Sequence, residues 1–225
     1  MLFPPLIIAL LAATAAVASP VEKDACHAYV IVSTRGTTER QGPSVAFVAM
    51  IAETLTAVAG GAELDTVYPA AISLDPASPQ ATKFIIDTIN DGLVSCPDQV
   101  YALLGYSQGA EATVDALKQI PPTSAAGQAI KAVLLVGDPE HEPGKQSNVD
   151  QTGGRLTDSA AGLFAHLPGA GIPRAWDASG KVLDICYVGD GVCSGFAITP
   201  QHFLYSVTPS VQTLGAQFLT ASLRL

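Results

Sequence analysis

Short, fully apolar runs alternate with amphipathic segments along most of this chain. Residues 28–32 (AYVIV), 100–104 (VYALL), 132–136 (AVLLV) and 182–188 (VLDICYV) read as strands, and 64–68 as a shorter strand closed by Pro69. Residues 45–58, 82–93, 110–120 and 214–223 read as helices. In the first of these, Val45, Val48, Ala49, Ala52 and Leu55 share one face; Pro121-Pro122 ends the third. Strand and helix in alternation imply parallel crossovers, because a helix must carry the chain back before the next strand can run the same way. Strands with no polar alternation fit a sheet covered on both faces. The chain therefore reads as an α/β fold with a mostly parallel central sheet. In such sheets chemistry lies beyond the carboxyl ends of the strands.

The chain has 225 residues, 48% hydrophobic and 14% charged, enough apolar material for one packed domain. Residues 1–18 read as a secretory signal peptide. The apolar run at 6–11 (LIIALL) is too short to span a bilayer, and Ala16-Val17-Ala18 fits a small-residue cleavage site, although no Lys or Arg stands near Met1. Residues 19–225 are then expected to form one domain, extracellular and without a membrane anchor. Net charge is −9 with no basic cluster, which disfavours nucleic acid as a partner. Four cysteines behind a leader read as two disulfides. Proximity pairs Cys186 with Cys193, leaving Cys26 for Cys96. No C-x-x-C or H-E-x-x-H spacing occurs, so neither a metal nor a cofactor is expected. Neither Asn90 nor Asn148 lies in N-x-S/T, so no N-glycan is expected.

The chemical signal is Gly105-Tyr106-Ser107-Gln108-Gly109. A G-x-S-x-G is common by chance, but this one follows an apolar strand and opens a helix, the setting a nucleophilic serine needs. The helix N-terminus directs free N–H groups and a positive dipole end at the reacting oxygen. A serine hydroxyl needs a histidine to take its proton and a carboxylate to orient that histidine. Of His27, His141, His166 and His202, only His202 lies after the last strand and before the last helix, in the chain order serine, acid, base. Asp138 and Asp190 compete as the acid. Asp190 is favoured because the Cys186–Cys193 loop would hold it rigidly, whereas Asp138 precedes Pro139 as a turn residue does. Gln108 is expected to supply one oxyanion-hole N–H and Thr37, after the first strand, the other. Leu167, Ile172, Phe196 and Ile198 are candidate acyl-chain contacts, and Tyr106 a core residue or pocket wall.

RGTTE at 35–39, GYSQG at 105–109, CYVGDGVC at 186–193 and His202 nine residues after Cys193 together resemble the cutinase family. The likeness runs through nearly the whole chain after the leader and is nearest to cutinase-like enzymes of yeasts and basidiomycetes. It implies a small, lidless α/β-hydrolase, a three-layer α/β/α sandwich with an exposed serine. It implies Ser107 as nucleophile, Asp190 as acid, His202 as base, and Thr37 with Gln108 as oxyanion hole. Cutin-like polymers, short-to-medium-chain esters and aliphatic polyesters are the implied substrates. An exposed single-domain hydrolase has no need of a partner, so a monomer is expected. An acetylxylan esterase shares this fold and triad, and an inactive surface-binding protein is the alternative of another kind.

Overall fold

The computed structural model describes residues 26–72, 78–195 and 197–224. The leader expected at 1–18 and the candidate contact Phe196 lie outside them. In chain order the elements are β1 (Tyr29–Thr34), α1 (Val48–Ala57), β2 (Gly61–Asp65), α2 (Pro79–Ser95), β3 (Val100–Tyr106), α3 (Gln108–Gln119), α4 (Ala125–Ala129), β4 (Ile130–Val136), β5 (Asn148–Val149), α5 (Arg174–Asp177), β6 (Val182–Ile185) and α6 (Pro209–Leu223). Short 3₁₀ turns at Pro200–Phe203 and Tyr205–Val207 precede α6.

The strands form one sheet in the order β2-β1-β3-β4-β6-β5, and every pairing is parallel. Because strand side chains alternate, each central strand feeds two cores. Tyr29 and Ile31, Ala102 and Leu104, and Leu134 and Val136 meet Phe47, Met50 and Ile51 at α1 and Val211 and Leu219 of α6. Val30 and Val32, Tyr101 and Leu103, and Val133 and Leu135 meet Ile85 and Ile89 of α2, Val114 and Leu117 of α3, and Trp176 of α5. This is the three-layer α/β/α sandwich. Each fully buried Leu or Ile contributes about 1.5–3 kcal/mol relative to exposure. Proline sits in the first turn of α2 and α6, where its missing N–H costs nothing and its fixed φ suits the helix.

The α1 face differs from the sequence expectation. Met50, Ile51 and Thr54 are buried, while Val45 and Val48 are 58% and 57% exposed. The segment VAFVAMIAETL is apolar almost all round, so periodicity alone does not select the face; the larger Phe47, Met50 and Ile51 fill the core. The β2 strand begins three residues earlier than expected. The elements α4, β5 and α5 are too short to leave a periodic signal.

Both disulfides form as paired by proximity, with Cα–Cα distances of 5.6 Å for Cys26–Cys96 and 5.7 Å for Cys186–Cys193. The first ties the approach to β1 to the end of α2. The second closes the loop after β6. Strand order reverses between β1 and β3: β2 lies beyond one and β4 beyond the other. The loops after these two strands diverge there and leave a crevice, the position at which open α/β sheets bind ligands.

Candidate active site

Ser107 occupies the single residue between β3 and α3, at φ 55° and ψ −119°. A non-glycine residue there stores roughly 1–3 kcal/mol of backbone strain. The strain is held by packing on both sides. The Ser107 N–H donates to Val136 O at 3.0 Å, and Ser107 O accepts from Ala110 N–H at 2.8 Å. A Cβ on Gly109 would stand 2.2 Å from Thr34 O, so only glycine lets the first turn of α3 press against the end of β1.

His202 reaches the serine from the 3₁₀ turn after β6. Its Nε2 lies 2.9 Å from Ser107 Oγ, and its Nδ1 lies 2.9 and 3.1 Å from the two carboxylate oxygens of Asp190. A carboxylate accepts only, so Nδ1 carries the proton and Nε2 is free to accept from the serine. Asp190 is completely buried and His202 nearly so. The disulfide loop fastens Asp190 at its backbone: its N–H donates to Tyr187 O at 2.9 Å, and its carbonyl accepts from the Ser194 hydroxyl at 2.6 Å. Its carboxylate also accepts from Val192 N–H at 2.9 Å and from the Tyr205 hydroxyl at 2.6 Å. Burial, then the adjacent Asp190 charge, push the Tyr205 phenol well above its usual range, so it stays a donor.

The Tyr106 hydroxyl donates to His202 O at 2.8 Å, which fixes the His202 backbone beside Ser107. Tyr106 is thus both core residue and pocket wall. Gly137, directly after β4, has φ 61°; a Cβ there would stand 2.8 Å from His202 Cε1. Among the described residues, the N–H groups of Thr37 and Gln108 have no hydrogen-bond partner, while those of Gly36 and Thr38 on either side of Thr37 are both occupied. A cleft of about 240 Å³ opens here, between Thr37, Thr38 and Val45 on one wall and Tyr106, Phe203 and Ser206 on the other. A larger hollow of about 450 Å³, between Glu142, Leu163 and His166, contains none of these groups.

The remaining sequence candidates fall elsewhere. Asp138 accepts from Glu140 N–H at 2.9 Å as a turn residue and has no hydrogen bond to His202. Burial, then Asp184, push its carboxyl well above the usual range, where it is a poor partner for a cationic imidazole. His141 is buried against Asp184, with Nδ1 to Oδ2 at 2.6 Å, and is remote from Ser107 in its bonding. His27 and His166 are exposed. Ile172 belongs to the core beside Trp176, Leu167 is half-buried, and Ile198 is exposed. Sequence reasoning missed Tyr205 and Gly137. The signal for Tyr205 is its spacing of three from His202, one 3₁₀ turn. Among the described residues, no group of three or more His, Cys, Asp or Glu could hold a metal ion, and no helix is long and apolar enough to cross a membrane.

The cutinase family model matches residues 25–223. A cutinase from Monilinia fructicola is 26% identical over 202 residues, covering 88% of this chain and 85% of its own length. An acetylxylan esterase from Hypocrea jecorina is 29% identical over 205 residues, covering 79% and 64%. Among solved structures, a cutinase-like protein from Cryptococcus sp. superposes with a TM-score of 0.82 at 43% identity, covering 89% of this chain and 97% of that one. An acetyl xylan esterase structure, at TM-score 0.72 and 23% identity, shares the fold. A parallel α/β sandwich and a family match across nearly all the described residues lead to one assignment: the chain is a carboxylic ester hydrolase of the cutinase family.

Proposed function

We propose that this enzyme is a secreted esterase that cleaves cutin-like polymers, aliphatic polyesters and short-to-medium-chain esters through an acyl-enzyme on Ser107. The observation that carries the substrate class is the apolar rim of the cleft. Val45 and Phe203 line it, and Val48 and Val207 follow them three and four residues on along the chain, all four more than half exposed. Large apolar side chains gathered at a crevice mark a surface that meets apolar material. Acetylated polysaccharide would present hydroxyl groups to these residues and leave them unsatisfied.

In the proposed mechanism Ser107 Oγ attacks the ester carbonyl as His202 Nε2 takes its proton. The tetrahedral oxyanion receives the N–H groups of Thr37 and Gln108. Each such donor is worth about 2.7–4 kcal/mol of barrier in comparable sites. Asp190 holds Nδ1–H and stabilises the imidazolium without itself taking the proton. His202 then protonates the departing alcohol. Water attacks the acyl-enzyme with His202 again as base, releasing the acid and restoring Ser107. Secretion is supported by the leader pattern at 1–18 and the two disulfides, which persist in oxidising compartments.

Rates on p-nitrophenyl esters from acetate to palmitate, alongside release of acid from an insoluble aliphatic polyester, test the substrate class. A maximum at butyrate to hexanoate with sustained polyester cleavage is expected. A sharp preference for acetate with no polyester cleavage would replace this reading with polysaccharide deacetylation, and no turnover on any ester would remove it.

A further inference from the structure

The loop that carries Thr37 is held by two charged side chains that touch neither Ser107 nor His202. Arg35, at the end of β1, is 3% exposed. Its guanidinium spends its donors on three backbone carbonyls: Nε on Glu39 O at 2.9 Å, Nη1 on Thr66 O at 3.1 Å, and Nη2 on Tyr68 O. It lies over the Tyr68 ring, 4.6 Å from the centroid, and the Tyr68 hydroxyl returns a bond to Arg35 O. One planar fork thus joins the loop after β1 to the segment after β2. A lysine could not do this, because it offers one charged centre rather than five N–H groups in a fixed plane.

Glu39 closes the loop from inside. Its Oε2 accepts from Gly36 N–H and, at 3.0 Å, from the Ser44 hydroxyl; its Oε1 accepts from Val45 N–H at 2.8 Å. On the far side Thr38 N–H donates to Ala70 O at 2.7 Å, with Thr38 at φ 66°. The donors flanking Thr37 are therefore taken, that of Gly36 by Glu39 and that of Thr38 by Ala70 O, while Thr37 N–H has no acceptor among the described residues. The same loop is in contact with the serine elbow, since Gly109 lies against Thr34 O and Arg35 O. Fixing the loop fixes the separation of the Thr37 and Gln108 donors.

We propose that Arg35 and Glu39 are positioning residues of the oxyanion hole, which set the Thr37 N–H for the transition state and leave ground-state binding untouched. The proposal rests on the esterase reading and on Thr37 and Gln108 as the donors. Preorganised donors act because they need not reorganise as charge develops on the oxygen. A loosened loop would pay that reorganisation at every turnover. Glu39→Gln is the sharper probe: it keeps the shape but offers one acceptor oxygen, and its NH₂ faces a backbone N–H donor to donor.

The test compares wild type, Glu39→Gln and Arg35→Lys on p-nitrophenyl butyrate and on the matching thionoester, whose sulfur is a poor oxyanion-hole acceptor. Active sites are counted by phosphonate titration, so that misfolded protein does not enter the rates. For Glu39→Gln we expect kcat on the oxygen ester to fall about 30-fold with KM held within about two-fold. The oxygen-to-thiono rate ratio should fall about 10-fold, because the thionoester, which uses the hole weakly, slows only about 3-fold. Arg35→Lys, where it folds, should move both quantities the same way. A Glu39→Gln enzyme with wild-type kcat, or one that loses both substrates equally, overturns the positioning role while leaving the esterase reading intact. A wild type inactive on the oxygen ester overturns both.

Discussion

The Tyr205 hydroxyl donates to Asp190 Oδ2 at 2.6 Å, on the same oxygen that lies 2.9 Å from His202 Nδ1. Two donors therefore converge on one oxygen of a fully buried carboxylate. Tyr205 also accepts from Tyr187 N–H at 3.0 Å, so the phenol links Asp190 to the start of the disulfide loop. Tyr205→Phe removes one charge-assisted bond, worth about 1.5–3 kcal/mol, without opening a cavity. It is expected to lower kcat/KM roughly 10-fold, because Asp190 then holds the His202 imidazole less firmly in place. An unchanged kcat/KM in the folded variant would show that the phenol does not act through Asp190.

Gly137 is the second position where the site leaves no room. A methyl group there would stand 2.8 Å from His202 Cε1 and 3.2 Å from Asp190 Oδ2, at a backbone φ of 61° that disfavours any L side chain. Gly137→Ala is expected to cost about 1–2 kcal/mol in urea unfolding and to lower kcat about 100-fold by displacing the base. A loss of stability with full kcat would show that His202 can yield without losing its alignment.

The fold was readable because the apolar runs are long and unbroken, and the two cores use alternate residues of the same strands. Of the three residues named from chain order and loop spacing, His202 comes within hydrogen-bond distance of both Ser107 and Asp190, although Ser107 and His202 are 95 positions apart in the chain. What pattern could not reach is how they are held. Tyr205, Tyr106 and Gly137 support the site through contacts between distant segments, and an apolar or small residue at such a position looks like ordinary core. The buried face of α1 was illegible for a related reason: with apolar residues nearly all round, periodicity cannot separate the face that packs from the face left bare at the cleft.

The Cys186–Cys193 bond should matter more for rate than for survival. It closes a short loop around Asp190, whose backbone is fastened to Tyr187 and Ser194. Replacing both cysteines by serine is expected to lower kcat/KM at least about 10-fold while thermal unfolding remains cooperative. An unchanged rate would mean that the hydrogen bonds alone hold the acid.

Stability should decline on the alkaline side. Burial alone would pull the His141 imidazole down, but the Asp184 charge and hydrogen bond outweigh it and hold the group at about 9, up from 6.5. Burial, followed by Glu140, Asp115 and Asp138, pushes the Glu111 carboxyl from 4.5 to about 9. Both groups bind a proton more tightly in the fold than in the unfolded chain. Their contribution is complete below 4.5 for Glu111 and 6.5 for His141, and is lost as pH rises through about 9. The melting temperature is expected to fall from about pH 5 to about pH 9, more steeply above 6.5 where both groups contribute, and Glu111→Gln, which keeps the neutral form's shape, should flatten the decline. A wild-type melting temperature constant over that range would contradict the assignment.

The most direct test is covalent. Wild type and Ser107→Ala are treated with a p-nitrophenyl phosphonate, the adduct is mapped by peptide mass spectrometry, and both are assayed on p-nitrophenyl butyrate. A single adduct on Ser107 is predicted, together with loss of at least about 10⁴-fold in turnover and no adduct in a variant whose melting curve matches wild type. An adduct on another residue, or a folded Ser107→Ala enzyme that still hydrolyses the ester at the wild-type rate, would contradict the account.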